Sequence, residues 1–315
     1  MNALIEQIAQ TLAAGILVGC LYGLLCVGLA FIFGIMRVIN FAQGDFMMAG
    51  MYLAVFAATR IVTAGTFGVA SPFVAALLVG PAMFAGGYVL HRVLISRTTG
   101  MRSASETESH QSQLIITLGL SLLIHNGVLM ALGSTPVAQT TQLSSQAWEI
   151  PLLYDDFSAV FFNKARTIDA ALALAISFAL FWLVLRTRLG KSLRASADDP
   201  AAALYVGIDV DRAHRIAFGL GAGIAGIAGG LIVLYYPAQP FVGVDFIIIM
   251  YAGVVMGGMG SIVGAFAGGM IIGLIQQLST LVIPLQLQNA AIFVVFVLVL
   301  LVRPNGLFGR SVDRA

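Results

Sequence analysis

Charge is scarce in this 315-residue chain. Asp, Glu, Lys and Arg make up 10% of it, where a soluble globular domain carries roughly 25%. That shortage leaves too few ionic groups to cover the surface of a soluble fold of this length. Cysteine is nearly missing: Cys20 and Cys26 are the only two. Both lie in the first apolar run, where they read as small buried side chains, not as a disulfide framework or metal site. His91, His110, His125 and His214 are scattered, so no cluster of histidines and carboxylates marks an enzyme active site. The chain holds no G-x-x-x-x-G-K-[ST] run, which excludes a phosphate-binding loop of its own. Net charge is +2 without a long block of one sign, so nucleic acid is not an expected partner.

What the sequence has is apolar length. Hydrophobic residues form 59% of the chain and mean hydropathy is +0.98. Uncharged runs extend from Gln7 to Met36, Ile61 to Leu90, Ile216 to Val244 and Phe246 to Val302, and one crossing needs only about 20 apolar residues. The expected fold is all-α, a polytopic transmembrane bundle forming one domain over 1–315. Its eight or nine membrane segments lie near 8–34, 44–59, 68–90, 112–133, 168–187, 215–236, 246–259, 261–283 and 288–302. The segments beginning at Asp45 and Asp245 are short, which predicts broken or re-entrant helices there. The first segment has no basic n-region and no cleavage-like site, so it is expected to be a retained helix.

Arginine and lysine set the expected orientation. Arg186, Arg188, Lys191, Arg194, Arg212 and Arg215 place the 186–215 loop in the cytoplasm; Arg92, Arg97 and Arg102 place the 91–111 loop there too, as Arg303, Arg310 and Arg314 do the tail. The 134–167 loop, with only Lys164 and Arg166 among several acids, is expected outside, and so is the amino end. That loop reads equally as a connector or as a docking surface for an external partner.

Glycine numbers 35. Much of it sits at small-xxx-small spacing, which lets helices approach closely in lipid. "MGGMGSIVGAFAGGM" at 256–270 gathers Gly257 and Gly258 beside Ser261 between two apolar segments, where tight packing fits as well as a helix break beside a cavity, through which the substrate path is expected to pass. "FAQGDF" at 41–46 echoes "FVGVDF" at 241–246 in sharing Phe, Asp and Phe, each Asp at the start of an apolar helix that it is placed to cap. An inverted repeat would produce such an echo. Asn40, Gln43 and Asp45 are polar groups within an apolar region and must face protein or water. They fit a translocation path or a cap at a helix break equally well.

The charge that exists gathers between two spans. In "DPAAALYVG" at 199–207, Asp199 is placed to cap a short helix, Pro200 suits its first turn, Ala201, Ala202 and Ala203 favour helix, and Gly207 closes it. On composition alone this is an amphipathic connector.

The stretch "RASADDPAAALYVGIDVDRAHRIAFGLGAGIAGIAGG" resembles the EAA-type loop of bacterial ABC importer permeases. "GLAFIFGIMRVINFAQGDFMMAGMY", "ITLGLSLLIHNG", "VVMGGMGSIVGAFAGGMIIGLIQQL" and "RPNGLFG" resemble, in the same order, the branched-chain amino-acid permeases of the LivH type. The resemblance covers most of the membrane part. It implies a permease subunit of the inner membrane that pairs with a second, homologous permease, takes substrate from a periplasmic binding protein and is driven by two cytoplasmic ATPases. ATP and magnesium would belong to those ATPases, leaving this chain without a cofactor or catalytic residue. The coupling loop would span about 188–214. Its pattern places the usual Glu on Ala201, the alanines on Ala202 and Ala203, and the Gly on Gly207. The glutamate is absent, so docking would fall to Ala202, Ala203 and Leu204, with Asp198, Arg194 and Arg212 as polar candidates. Where the family pattern has His and Glu, this chain has Gln43 and Asp45.

The resemblance leaves the cargo open among branched-chain amino acids, other amino acids, urea and short amides. An ion-coupled secondary transporter is the competing class. It would need buried ionisable groups near the midplane, for which only Asp45, His125 and Asp245 qualify.

Overall fold

The computed structural model of the chain describes residues 2–63, 67–97, 106–151, 159–303 and 306–308. Eleven α-helices dominate these residues: α1 (Asn2–Met36), α2 (Gln43–Thr63), α3 (Ser71–Val93), α4 (Glu106–Leu132), α5 (Lys164–Arg186), α6 (Arg188–Asp198), α7 (Pro200–Tyr205), α8 (Val210–Ile232), α9 (Val242–Gly257), α10 (Ile262–Ser279) and α11 (Gln288–Val302). Seven are long and apolar enough to cross a membrane: α1 to α5, α8 and α10. The shorter α9 and α11 complete the nine segments. Arg102, Arg310 and Arg314 lie outside the described residues.

Two elements differ from the expectation. The helix that begins around Asp45 is not shortened: α2 has 21 residues, a full span, because the apolar pattern continues past Arg60. Only α9, with 16 residues, is a partial helix of the kind foreseen. The 134–167 loop adds strand to the bundle. Strands β1 (Ala147–Pro151) and β2 (Ala159–Asn163) pair antiparallel with Trp148 opposite Phe162. The Gln10 side chain ties this hairpin to α1, donating to the Phe161 carbonyl at 2.8 Å and accepting from its amide at 2.9 Å.

Glycine decides how the spans pack. Gly15, Gly19 and Gly23 of α1 lie against Leu274, Met270 and Phe266 of α10, so the two run antiparallel. Gly80 and Gly87 of α3 lie against Ile227 and Gly219 of α8 in the same manner. These close approaches bury α1 and α8 along most of their length. Met36, Gly258, Arg215 and Arg303 mark one pole of the bundle, called here the basic pole.

These pairings form an inverted repeat. In one half, α1 leads through a non-helical stretch (37–42) into α2 and then α3; in the other, α8 leads through 233–241 into α9 and then α10. The first helix of each half packs on the third helix of the other, and α1 also meets α8 as α2 meets α9. The starts of α2 and α9 touch at Gly44 and Gly243, where a Cβ on either would collide with the other's carbonyl group. The "FAQGDF" and "FVGVDF" echo thus marks one of the contacts between the halves.

Candidate functional site

After α1, Arg37 takes a left-handed conformation (φ 53°) and the chain turns back into the bundle. Asn40 holds this turn. Its Oδ1 accepts from the Ala42 amide at 3.1 Å and its Nδ2 donates to Gln43 Oε1 at 3.2 Å. Gln43 Nε2 donates in turn to the Gly221 carbonyl on α8 at 3.0 Å, and the Tyr251 hydroxyl of α9 donates to the Asn40 carbonyl at 2.9 Å. All are needed, because a buried polar group left unpaired in an apolar bundle is costly. Asn40 and Gln43 therefore fasten α2 to α8 and α9, with side chains sealed from solvent.

Asp45 does not occupy the cap of α2 but the third position of its first turn. Its Oδ1 lies 3.4 Å from His125 Nδ1 on α4, a contact between two buried side chains. The His125 ring packs on Phe241 with centroids 5.2 Å apart. Few other contacts hold α4, which turns most of its surface outward, and this pair helps to fasten it to α2. Asp245, in the first turn of α9, does not cap either: Phe241 holds the cap position without a side-chain bond. The carboxylate of Asp245 is exposed.

The glycine-rich stretch is a helix break. α9 ends at Gly257, Gly258 (φ 104°) and Gly260 (φ 86°) adopt conformations reserved for glycine, and Ser261 caps α10 by accepting from the Gly264 amide at 3.1 Å. Gly257 and Gly258 are buried, whereas Gly260 is exposed. The end of α9 leaves carbonyls that need donors, and the tail brings them. The Leu307 amide donates to the Met256 carbonyl at 2.7 Å and that of Phe308 to Gly257 at 3.2 Å. This use of the "RPNGLFG" motif is invisible in sequence, since about fifty residues separate donor from acceptor. Asn40 meets α9 at Tyr251, six residues before Gly257.

Asp199 caps α7 in full: its Oδ1 accepts from the Ala201 and Ala202 amides at 2.9 and 3.0 Å. At the other end Gly207 (φ 83°) donates to the Leu204 carbonyl at 3.0 Å and Ile208 to that of Ala203 at 2.9 Å, a Schellman closure. The preceding α6, missed as a separate helix, is capped by Thr187, whose hydroxyl accepts from Gly190 at 3.0 Å. Its buried Leu193 and Ser196 anchor the segment, while Arg194, Asp198 and Asp199 are exposed. One expectation is corrected. Ala203 does not face outward; it is buried (3% exposed) within the protein, because a two-turn helix must turn one residue toward its own support. The free face is Ala201, Ala202, Leu204, Tyr205 and Val206, with Tyr205 at 91% and Val206 at 75% exposure.

Nine apolar segments around a glycine-packed core, an inverted repeat with breaks at its centre, and one short helix held clear of the bundle define a multi-pass membrane protein of the permease class. Residues 11–302 match the family described as "Branched-chain amino acid transport system / permease component", and the chain belongs to that family. It is 30% identical to the high-affinity branched-chain amino acid transport system permease protein LivH of Escherichia coli strain K12, over 96% of this chain and 95% of that one. BraD of Pseudomonas aeruginosa, a permease protein of the same description, is 29% identical over the same shares. The probable LivH of Methanocaldococcus jannaschii is 26% identical over 91% and 88%. No solved structure matches the chain.

Proposed function

We propose that the chain is one permease subunit of an ATP-driven importer and forms, with a second homologous permease, the path for branched-chain or related amino acids. The roles of these relatives support the cargo class. The observation that carries the ATP-driven reading is α7. A six-residue helix is too short to persist alone, yet this one is capped at both ends and holds Tyr205 out at 91% exposure. A rigid helix with an unpartnered apolar face suits a contact that transmits force. In this reading two cytoplasmic ATPases, with their ATP and magnesium, receive α7; a periplasmic binding protein delivers the cargo to the opposite pole. The basic pole and the tail are then cytoplasmic, the amino end and the hairpin periplasmic, and the membrane is the inner membrane.

The test is reconstitution in vesicles. The complete complex with loaded binding protein should take up labelled leucine only when ATP is supplied, and Tyr205→Asp should lose the stimulation of ATP hydrolysis by the binding protein while still inserting. Uptake by the chain alone, driven by an ion gradient, would overturn the proposal.

A further inference from the structure

Asp245 and Asn289 stand in the first turns of α9 and α11 and share a cleft of about 40 Å³ walled by Ile248, Ile249, Ile292 and Phe293. Both polar side chains are exposed. Neither has a side-chain hydrogen bond or ion pair among the described residues. Their depth makes this unusual. At 1.5 Å per residue, Asp245 lies about 18 Å from the C-terminal end of α9 and Asn289 about 20 Å from that of α11. Both ends sit at the basic pole, where the Leu307 amide meets Met256 and Arg303 follows α11. The hydrocarbon layer is about 30 Å thick. Both groups therefore stop roughly 10 Å short of the far boundary, in the apolar zone.

An ionised carboxylate at that depth does not face lipid; it faces protein or a water-filled route. The other half of the molecule shows the protein solution, with Asp45 buried against His125. At Asp245 the neighbouring helix supplies only the neutral amide of Asn289, and the carboxylate stays open. The cleft has room for one or two water-sized groups, which admits a primary ammonium but not a whole amino acid.

We infer that the Asp245–Asn289 cleft is a recognition point on the translocation route, where the carboxylate receives the α-ammonium group of a passing amino acid. The inference rests on the import reading and sharpens its cargo: a zwitterion presents the cation that this site accepts, whereas urea does not.

Thiol labelling tests the site without needing transport. Asn289→Cys is made in the complete membrane complex with Cys20 and Cys26, both buried, replaced by Ala. It is treated with two water-soluble methanethiosulfonates, one bearing a trimethylammonium group and one a sulfonate. Two unit charges a few ångströms apart in water attract or repel by about 1 kcal/mol, so the cationic reagent should enjoy an extra preference, roughly tenfold beyond the one it has with a small free thiol. Asp245→Asn in the same background should abolish that preference. Val244→Cys, exposed beside Asp245, repeats the measurement if Asn289→Cys fails to assemble. No reaction with either reagent, or a preference no greater than that of a small free thiol with Asp245 in place, overturns the inference. Labelling as expected in a complex that takes up nothing would instead count against the import reading.

Discussion

The two halves of this permease share a topology and a contact but handle the same side chain in opposite ways. In the α1–α3 half, Asp45 is buried and meets His125, and the stretch before it is locked by Asn40, Gln43 and Tyr251. In the α8–α10 half, Asp245 opens onto the flank of the bundle with the neutral Asn289 near it. The stretch before it, 233–241, is held to the 134–146 segment by the backbone bridge between Val137 and Ala238. The difference teaches that symmetry conserves the backbone crossing, which only glycine permits, and leaves the charged position free to diverge. One carboxylate became structural and the other stayed available.

The crossing itself offers the largest expected effect. Gly44→Leu should prevent assembly, because its side chain would enter the Gly243 carbonyl and backbone cannot give way; overpacking of this kind costs several kcal/mol. Gly119→Leu, where nothing lies within 4 Å, is the comparison, and size-exclusion profiles in detergent report both. Normal assembly of Gly44→Leu would mean that the halves do not meet as described. Next comes the tail. Removing residues 303–308 leaves the last carbonyls of α9 without the Leu307 and Phe308 amides, and a melting point several degrees lower is expected, consistent with about 1–3 kcal/mol for each orphaned acceptor. An unchanged melting curve would show that other groups satisfy them.

The smallest expected effect lies outside both halves. Asp199→Ala removes the α7 cap at a cost of about 1 kcal/mol. Faster hydrogen exchange at Ala201 and Ala202, with the spans unaffected, is the expected reading; unaltered exchange would remove the cap from the explanation of α7.

Local features were legible in the chain and long-range ones were not. α7 could be read because its cap, its proline and its closing Gly207 are neighbours in sequence. The nine apolar segments could be read because hydropathy is a property of consecutive residues. The length of α2 was misjudged because Arg60 looks like a boundary, although it sits within the last turn, its guanidinium 4.9 Å from the Phe56 ring centre. His125 was noted as ionisable, but its partnership with Asp45 spans 80 positions and depends on where α4 docks. The hairpin escaped because "AWEIP" and "AVFFN" lack clean alternation and their partners are set by register alone. Ala203 looked like its neighbours, and only the position of α7 on the bundle turned it inward.

The contrast between the carboxylates is tested most directly by measuring melting temperature and leucine uptake together, in the reconstituted complex, for Asp45→Asn and Asp245→Asn. Asp45→Asn should melt several degrees lower, since the buried His125 loses its charged partner, and adding His125→Leu should restore part of that loss. Asp245→Asn should melt like the parent protein and lose roughly tenfold in uptake. The opposite pattern, a stable Asp45→Asn with Asp245→Asn taking up leucine at the parent rate, would contradict the division of roles between the two halves.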